Sequence, residues 1–270
     1  MKTPESSHGG RTVTLKNDPK NVRIFTLSDR APSLLLRVRR GEKALVTVEC
    51  SARTKNARRS MKVELESKST LNLVFVWRGK TSAAITQEFH VGAGARLHLA
   101  NISLGSCRHD VVSEVAGARG ESRIDWIVHG SGTMECRITA RNIFQNKNGS
   151  GDLTMRGVAE GNAKIVCNGS VEIGPKATGT KAHLIEKILL LDPTARADAT
   201  PSLDVKTHDV EAGHSASVSR IHPEDLFYFA SRGVSGKKAR KLFVEGFLGS
   251  GIEEIEDEGL KGMTQELLSH

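Results

Sequence analysis

Residues 91–99 read VGAGARLHL, a turn of small residues followed at once by alternating apolar and polar side chains. A small residue lets the chain make a tight corner, and period-two alternation is typical of a strand with one buried face. A corner with Gly or Ala followed by a strand recurs in VAGARGESRIDW (115–126), GVAEGNAKIV (157–166), IGPKATGTKAHL (173–184) and DPTARADATPSLDV (192–205). This repeat favours a β-solenoid, in which each coil buries its inner face against the next.

Short alternating runs occupy most of the chain between about residues 22 and 218. They are LLLRV (34–38), ALVTVEC (44–50), MKVEL (61–65), LNLVFVW (71–77), RLHLANI (96–102) and RIDWIV (123–128). Runs of this length and period predict half-buried strands. We therefore predict a mainly β fold, a right-handed parallel β-helix followed by a small α-helical segment. An antiparallel sandwich is the alternative, because it is built from similar strands.

The end of the chain changes from strand to helix patterning. Pro223 is suited to the first position of a helix, and two acids follow it in PEDLFYFAS (223–231). Gly233 is placed to end this helix, and Ser235 is placed to cap a second helix over 236–247. A third helix is predicted around 260–268. These helices are expected to cover the last coil of the solenoid, to bind a partner, or to do both.

Charge, hydropathy and cysteine spacing restrict the classes of function. The chain of 270 residues carries a net charge of +8, but its basic residues are scattered through the strands without interleaved aromatics, so we predict no nucleic-acid partner. No apolar run is long enough to span a membrane, and residues 1–10 lack the apolar centre of a secretory signal. The four cysteines form no CxxC pair, which favours reduced thiols in a cytoplasmic protein.

The segment DLFYFASRGVSGKKARKLFVEGFL (225–248) resembles the C-terminal signature of the SUF iron–sulfur cluster assembly scaffolds SufB and SufD. In that signature a Leu-Phe-Tyr helix leads into an Arg-Gly turn and then into a helix that ends in Gly-Phe. The preceding stretch, VEIGPKATGTKAHLIEKILLLDPTARADATPSLDVKTHDVEAGHSASVSRI (171–221), resembles the last coils of the same family. The resemblance is closest over 151–248 and extends back to residue 22.

The resemblance implies a right-handed parallel β-helix that dimerises through its last coils, either with itself or with a SufB/SufD paralogue. It also implies that a SufC-type ABC ATPase docks on residues 226–248. The chain has no GxxxxGK[ST] motif, so ATP hydrolysis would come from that partner. Aromatic and Arg side chains often dominate interfaces, and the expected partner-binding residues are Phe227, Tyr228, Arg232, Phe243 and Phe247.

His214, in AGHSASVSRI, matches a histidine that SufB and SufD share, and the resemblance makes it a candidate ligand of the cluster. A neutral imidazole is a competent iron ligand. Three positions depart from the family pattern. Ala212 stands where SufD often has Cys, Ala195 where SufB has an essential Cys, and Ser215 where Glu follows the histidine. Clusters normally prefer thiolates, and the final coil supplies none.

Three explanations follow from these departures. Oxygen and nitrogen donors could join His214, from Asp198, His208, Asp209 or Glu211. A thiol could instead come from a neighbouring coil, through Cys167 or Cys136, or a partner subunit could bring the cysteine. Cys107 aligns loosely with the sulfur-accepting cysteine of SufB and is a candidate sulfur acceptor, with a buried structural thiol as the alternative.

We therefore divide the chain into an N-terminal polar segment (1–21), a β-helix core (22–221) and a C-terminal helical segment that docks the ATPase (222–270). The expected function is that of a non-catalytic scaffold or accessory subunit that holds an iron–sulfur cluster transiently. One alternative is a structural solenoid adaptor that binds the ATPase but no cluster. The other is a carbohydrate-active β-helix enzyme. The sequence argues against this class, because it has no acidic cluster repeated at coil spacing.

Overall fold

The computed structural model describes residues 10–15, 22–79, 81–253 and 261–262. The strands of these residues form two sheets. The first contains β1 (Gly10–Leu15), β3 (Ser33–Val38), β5 (Ala57–Leu65), β7 (Ala83–Val91), β9 (Cys107–Val115), β11 (Glu135–Phe144), β13 (Lys164–Ile173), β15 (Arg196–Ala199) and β16 (Ser202–Val205). The second contains β2 (Arg23–Leu27), β4 (Lys43–Cys50), β6 (Thr70–Trp77), β8 (Arg96–Ser103), β10 (Glu121–Gly130), β12 (Ser150–Ala159), β14 (Thr180–Leu190) and β17 (Val210–Arg220).

Each coil contributes a strand to each sheet, and each strand pairs in parallel with the equivalent strand of the next coil. In the second sheet, for example, β10 lies between β8 and β12 with parallel register on both sides. The result is a β-solenoid of about 8 turns. The predicted solenoid is therefore confirmed, and the parallel pairing excludes the antiparallel sandwich.

The core lies between the two sheets and follows from the alternation in the sequence. Leu73 on β6 and Leu99 on β8 are in register and fully buried, and comparable residues continue the stack on the neighbouring coils. The corners behave as their composition predicts. Gly94, in the VGAGA corner, has a φ of +61°, and Gly161, in the VAEGNA corner, has a φ of +66°. Residues with a side chain rarely adopt this conformation.

The first strand begins before residue 22, where the sequence predicted the start of the core. β1 (Gly10–Leu15) pairs in parallel with β3, and Leu15 is fully buried. This strand is short, and only Val13 and Leu15 supply large apolar side chains. The polar composition of the segment therefore hides its alternation.

Two helices follow the solenoid, as predicted. α1 (Pro223–Ser231) begins at the expected proline, and Gly233 follows its end with a φ of +77°. α2 (Gly236–Glu253) begins after Ser235, whose Oγ accepts a hydrogen bond from the amide of Lys238 at 3.3 Å. α2 is longer than predicted, and the third helix over 260–268 lies outside the described residues apart from 261–262. No helix of the described chain is long and apolar enough to cross a membrane.

α2 packs on the outer face of the second sheet and, as far as the described residues extend, leaves the end of the solenoid open. Leu248 and Ile252 of this helix join a buried apolar cluster with outward-facing residues of the sheet: Val74, Val76, Ala100, Ile102, Ile127, Val158 and Leu189. Arg240 fixes the helix to the solenoid through an ion pair with Asp192, with Nη1 and Oδ1 2.8 Å apart. Over its described length, α2 therefore packs beside the solenoid and does not cover the inward positions of the last coil.

Candidate functional site

The last coil consists of β15, β16 and β17, and its inward positions are uncovered on one side. On β17, His214, Ala216 and Val218 are in register with Leu184, Glu186 and Ile188 of β14. The three residues of β14 are buried, whereas the three of β17 are exposed, with Val218 at 46%. The side chains of β17 thus occupy core positions on a coil that no further coil of the described residues covers.

The first sheet completes this open end with small and apolar side chains. Ala197 and Ala199 are in register with Ile165 and Cys167 of the coil below. Further along, Leu203 and Val205 continue the columns of Val171 and Ile173, and Val205 is 38% exposed. We call the uncovered inward positions of the last coil the open end; they are Ala197, Ala199, Leu203, Val205, Ala212, His214, Ala216 and Val218.

The predicted ligands do not all face the open end. His214 does, because it continues the inward column of Leu184. Asp198 lies between Ala197 and Ala199, which pack on the core, so strand alternation turns it to the outer face. Glu211 is exposed and forms an ion pair with Lys181, with Oε2 and Nζ 2.8 Å apart. This pairing lowers the pKa of Glu211 and raises that of Lys181.

The other proposed oxygen and nitrogen donors lie in the connection between β16 and β17. His208 and Asp209 are both exposed there, and the backbone carbonyl of Asp209 accepts a hydrogen bond from the amide of Gly179 at 2.6 Å. Over the described ranges of a single copy, no three His, Cys, Asp or Glu side chains come close enough to hold a metal ion. His214 is therefore the predicted donor that the fold presents at the open end.

Cys167 lies one coil below the open end, in register with Ala199. Its side chain is fully buried, and burial raises the pKa of the thiol well above its ordinary value, with a further contribution from the carboxylate of Glu186. Because a thiolate is the form that binds metal, the thiol is a poor ligand while the last coil stays in place.

Glu186 is a functional candidate that the sequence reasoning missed. It is fully buried directly below Ala216, and its Oε1 accepts a hydrogen bond from the amide of Gly169 at 2.6 Å. Its Oε2 has no hydrogen-bond partner among the described residues. Burial raises its pKa to about 7, against the opposing effect of the hydrogen bond from the Gly169 amide. Glu186 lies midway between Leu184 and Ile188 on β14. Period-two alternation puts all three residues on the same face, and this was the signal that could have placed the carboxylate inside.

Cys107 and Cys136 lie together inside the solenoid, three and two coils below the last one. They are in register on adjacent strands β9 and β11, and their Sγ atoms are 3.0 Å apart. Both side chains are buried. The hydrogen bond to Cys136 and burial raise the pKa of Cys107 well above its ordinary value. The fold thus pairs the predicted sulfur acceptor with a second thiol.

The predicted partner-binding residues divide into an exposed and a packed group. Phe227 is 75% exposed and Tyr228 is 58% exposed on α1, and the guanidinium carbon of Arg232 lies 5.3 Å from the centre of the Tyr228 ring. We call these three residues the α1 patch. Phe243 and Phe247 are instead half-buried, because they pack against the apolar cluster beneath α2. They contribute to holding that helix on the solenoid.

Comparison with known proteins identifies the family to which this architecture belongs. A family model described as the SufBD core domain of the SUF system for FeS cluster assembly matches residues 26–247. The chain belongs to the SufBD family. This membership confirms the resemblance found in the sequence.

Individual SufBD relatives match parts of the chain. The iron–sulfur cluster assembly protein SufD of Bacillus subtilis is 34% identical over 145 residues, which are 54% of this chain and 33% of that relative. SufD of Escherichia coli is 27% identical over 160 residues, or 59% of this chain and 33% of the relative. A SufBD family protein of Mycobacterium leprae is 42% identical over 94 residues, which are 34% of this chain and 24% of that relative. The matches thus span a third or less of these relatives.

Proposed function

We propose that this chain is a non-catalytic scaffold or accessory subunit that receives and hands on an iron–sulfur cluster in the cytoplasm. Membership of the SufBD family supports a role in cluster assembly. The observation that carries the finer proposal is the open end, where a solenoid of about 8 turns stops with apolar side chains and one imidazole uncovered. An uncovered core layer of this kind is suited to association rather than to solvent.

The proposed partner at the open end is a second copy of the chain or a SufB/SufD paralogue. β17 is an eleven-residue strand that pairs only with β14 among the described strands, so its other edge has free backbone groups. Its inward residues Ala216 and Val218 would then be buried against the partner. In light scattering, the chain should be a dimer and Ala216→Arg a monomer, while Ala84→Arg on the outer face of β7 should remain dimeric. A wild-type monomer would leave the paralogue as the partner.

The cluster is the cargo of this interface, and His214 is the ligand that we propose from this chain. Its imidazole is exposed at a position that dimerisation would enclose. A thiol from the partner, or Cys167 after movement of the last coil, would complete the set. Asp198 faces outward and Glu211 pairs with Lys181, so neither is assigned to the cluster.

The proposed second partner is a SufC-type ABC ATPase that docks on the α1 patch. Exposed aromatic residues beside an Arg are typical of residues that dominate binding energy. The neighbouring start of α2 adds exposed positive charge through Lys237, Lys238 and Lys241. ATP hydrolysis by this partner would supply the work that opens and closes the interface.

Cluster transfer tests the proposed function. The chain, its ATPase, iron and a sulfide source are incubated anaerobically with an apo-ferredoxin, and the absorption of the acceptor is followed. The proposal predicts that the chain accelerates formation of the holo-acceptor above the rate with iron and sulfide alone. Equal rates with and without the chain would contradict it. Because no metal-binding group of three side chains occurs in the described parts of one copy, the adaptor that binds only the ATPase is the second candidate.

A further inference from the structure

The sulfur contact inside the solenoid supports an inference that goes beyond cluster assembly. Cys107 and Cys136 occupy equivalent positions on β9 and β11, which are neighbouring parallel strands. Strands in a sheet lie about 4.8 Å apart, which falls within the window of about 4.4–6.8 Å that disulfides need between Cα atoms. The two Sγ atoms, 3.0 Å apart, need to approach by only about 1 Å to reach a bond of about 2.05 Å.

We propose that Cys107 and Cys136 form a redox-active pair that closes reversibly to a disulfide between adjacent coils. The other two cysteines, Cys50 and Cys167, are also buried, but among the described residues neither has a sulfur contact of this kind. The pair is thus distinguished by its sulfur contact rather than by burial. Oxidation would join two coils without a rearrangement of the sheet.

A cleft connects the neighbourhood of the pair to the surface. Its volume is about 250 Å³, and both cysteines contribute to its lining together with Ser82, Arg108, Glu135, Arg137, Lys164 and Val166. Three of these residues are cationic and one is acidic. A small oxidant can therefore reach this part of the solenoid.

The oxidant that we propose is a hydroperoxide, for which the chemistry balances. One thiolate attacks a peroxide oxygen, which gives a sulfenic acid and, for hydrogen peroxide, one water after proton transfer. The second thiol attacks the sulfenic sulfur, the S–S bond forms, and the hydroxyl leaves as a second water. The two sulfurs lose two electrons and the peroxide gains them. A small dithiol reverses the reaction by exchange.

Protonation sets the rate of this reaction. The pKa of Cys107 is raised because its thiol hydrogen-bonds to Cys136 and because it is buried. Since the thiolate is the reactive form, oxidation should be slow at neutral pH and faster in alkaline solution. The disulfide would also remove the Cys107 thiol, which the family resemblance makes a candidate sulfur acceptor. That consequence rests on the resemblance and on the proposed role in cluster assembly, whereas the disulfide itself does not.

Peptide mapping tests the pair on the full chain. Reduced protein is treated with hydrogen peroxide, blocked with a thiol reagent under denaturing conditions and digested with trypsin. The linked product should join peptides 97–108 and 124–137, lose the mass of two hydrogen atoms and disappear after treatment with a dithiol. Cys50→Ala should still form the link, whereas Cys107→Ala and Cys136→Ala should not.

The wild-type chain alone can overturn the proposal. A disulfide that joins any other pair would contradict it, as would four thiols that all stay reduced while peroxide oxidises the same chain in urea. Stepwise oxidation of Cys107 without a link to Cys136 would contradict it as well. None of these readouts depends on iron, sulfide or a partner, so their outcome is separate from that of the cluster-transfer assay.

Discussion

His214 on β17 continues the interior column of Leu184 on β14, yet Leu184 is fully buried and His214 is exposed. The two residues hold equivalent places in consecutive coils, but within the described part of the chain the second coil has no neighbour above it. An imidazole at a core position is costly in a covered coil unless it finds partners. At the open end it carries no such cost and is available for a ligand or a partner.

Although the two positions are equivalent, substitution by alanine should cost much stability at Leu184 and little at His214. Leu184→Ala should lower the free energy of unfolding by about 2–5 kcal/mol, because it leaves a cavity in the core. His214→Ala should change it by less than about 0.5 kcal/mol, since the side chain is exposed. Urea denaturation followed by circular dichroism measures both. A large loss in His214→Ala would mean that the imidazole supports the fold.

The buried carboxyl of Glu186 predicts a pH dependence of stability. Burial raises its pKa from 4.5 to about 7. Between these values the unfolded chain releases a proton that the folded chain keeps, so the free energy of unfolding should fall as the pH rises and level off above about 7. Glu186→Gln stays neutral and retains an oxygen for the Gly169 amide. At about pH 8 it should be more stable than wild type by up to about 3 kcal/mol.

The matched control for Glu186→Gln is Glu172→Gln, whose expected effect on the free energy of unfolding has the opposite sign. Arg141 holds the pKa of Glu172 below its ordinary value through an ion pair with Nε and Oε1 2.8 Å apart. This pair stabilises the folded chain above the unfolded pKa and is lost as the pH falls. Removing it should therefore lower stability at neutral pH. Equal pH profiles for wild type and Glu186→Gln would show that the buried carboxyl does not titrate as described.

A close approach between coils predicts a strict requirement for glycine at position 151. Gly151 has a φ of +147°, and a Cβ there would lie 1.9 Å from the carbonyl oxygen of Ser122 on the neighbouring strand. Because that oxygen belongs to the backbone, Gly151→Ala should cost about 3 kcal/mol or more. Gly132 also has a positive φ, +61°, but nothing lies within 4 Å of its Cβ position. Gly132→Ala should cost only about 1–2 kcal/mol in the same thermal and urea measurements.

The α1 patch predicts a loss of partner affinity without a loss of stability. Phe227→Ala and Tyr228→Ala should each weaken binding of the SufC-type ATPase by about 30-fold, the effect of a side chain that dominates an interface. Their melting temperatures should match wild type, since both side chains are exposed. Ile24→Ala, 66% exposed on β2 near the other end of the solenoid, is the matched control. If titration calorimetry gave both α1 variants the wild-type affinity for the ATPase, the ATPase would have to bind elsewhere.

Much of the fold could be predicted from local pattern, because strand period and corner residues are local properties. The corner at Gly94 and the boundaries of α1 were predicted in this way. The position of α2 could not be, since it packs on β10 and β12 through outward-facing residues that lie far apart in the chain. The early strand at Gly10–Leu15 was hidden by its polar composition.

The site was less predictable than the fold. His214 was predicted from the family resemblance, and the structure places it on the inward face of β17. Strand alternation turns Asp198 outward, and residue type alone does not separate the two. The contact of Cys107 with Cys136 depends on coil length, because 29 residues must separate two thiols that meet. Coil lengths vary along the chain, so this register becomes visible only in the folded solenoid.

The measurement that tests the central claim most directly is anaerobic reconstitution with iron and sulfide on wild type, His214→Ala and His90→Ala. His90 is an exposed histidine on the outer face of β7, far from the open end, and serves as the control. Iron and acid-labile sulfide per chain are determined together with visible absorption. The account predicts that wild type and His90→Ala take up a cluster and that His214→Ala loses most of it. Equal uptake by all three proteins, or no uptake by any of them with the ATPase present, would contradict it.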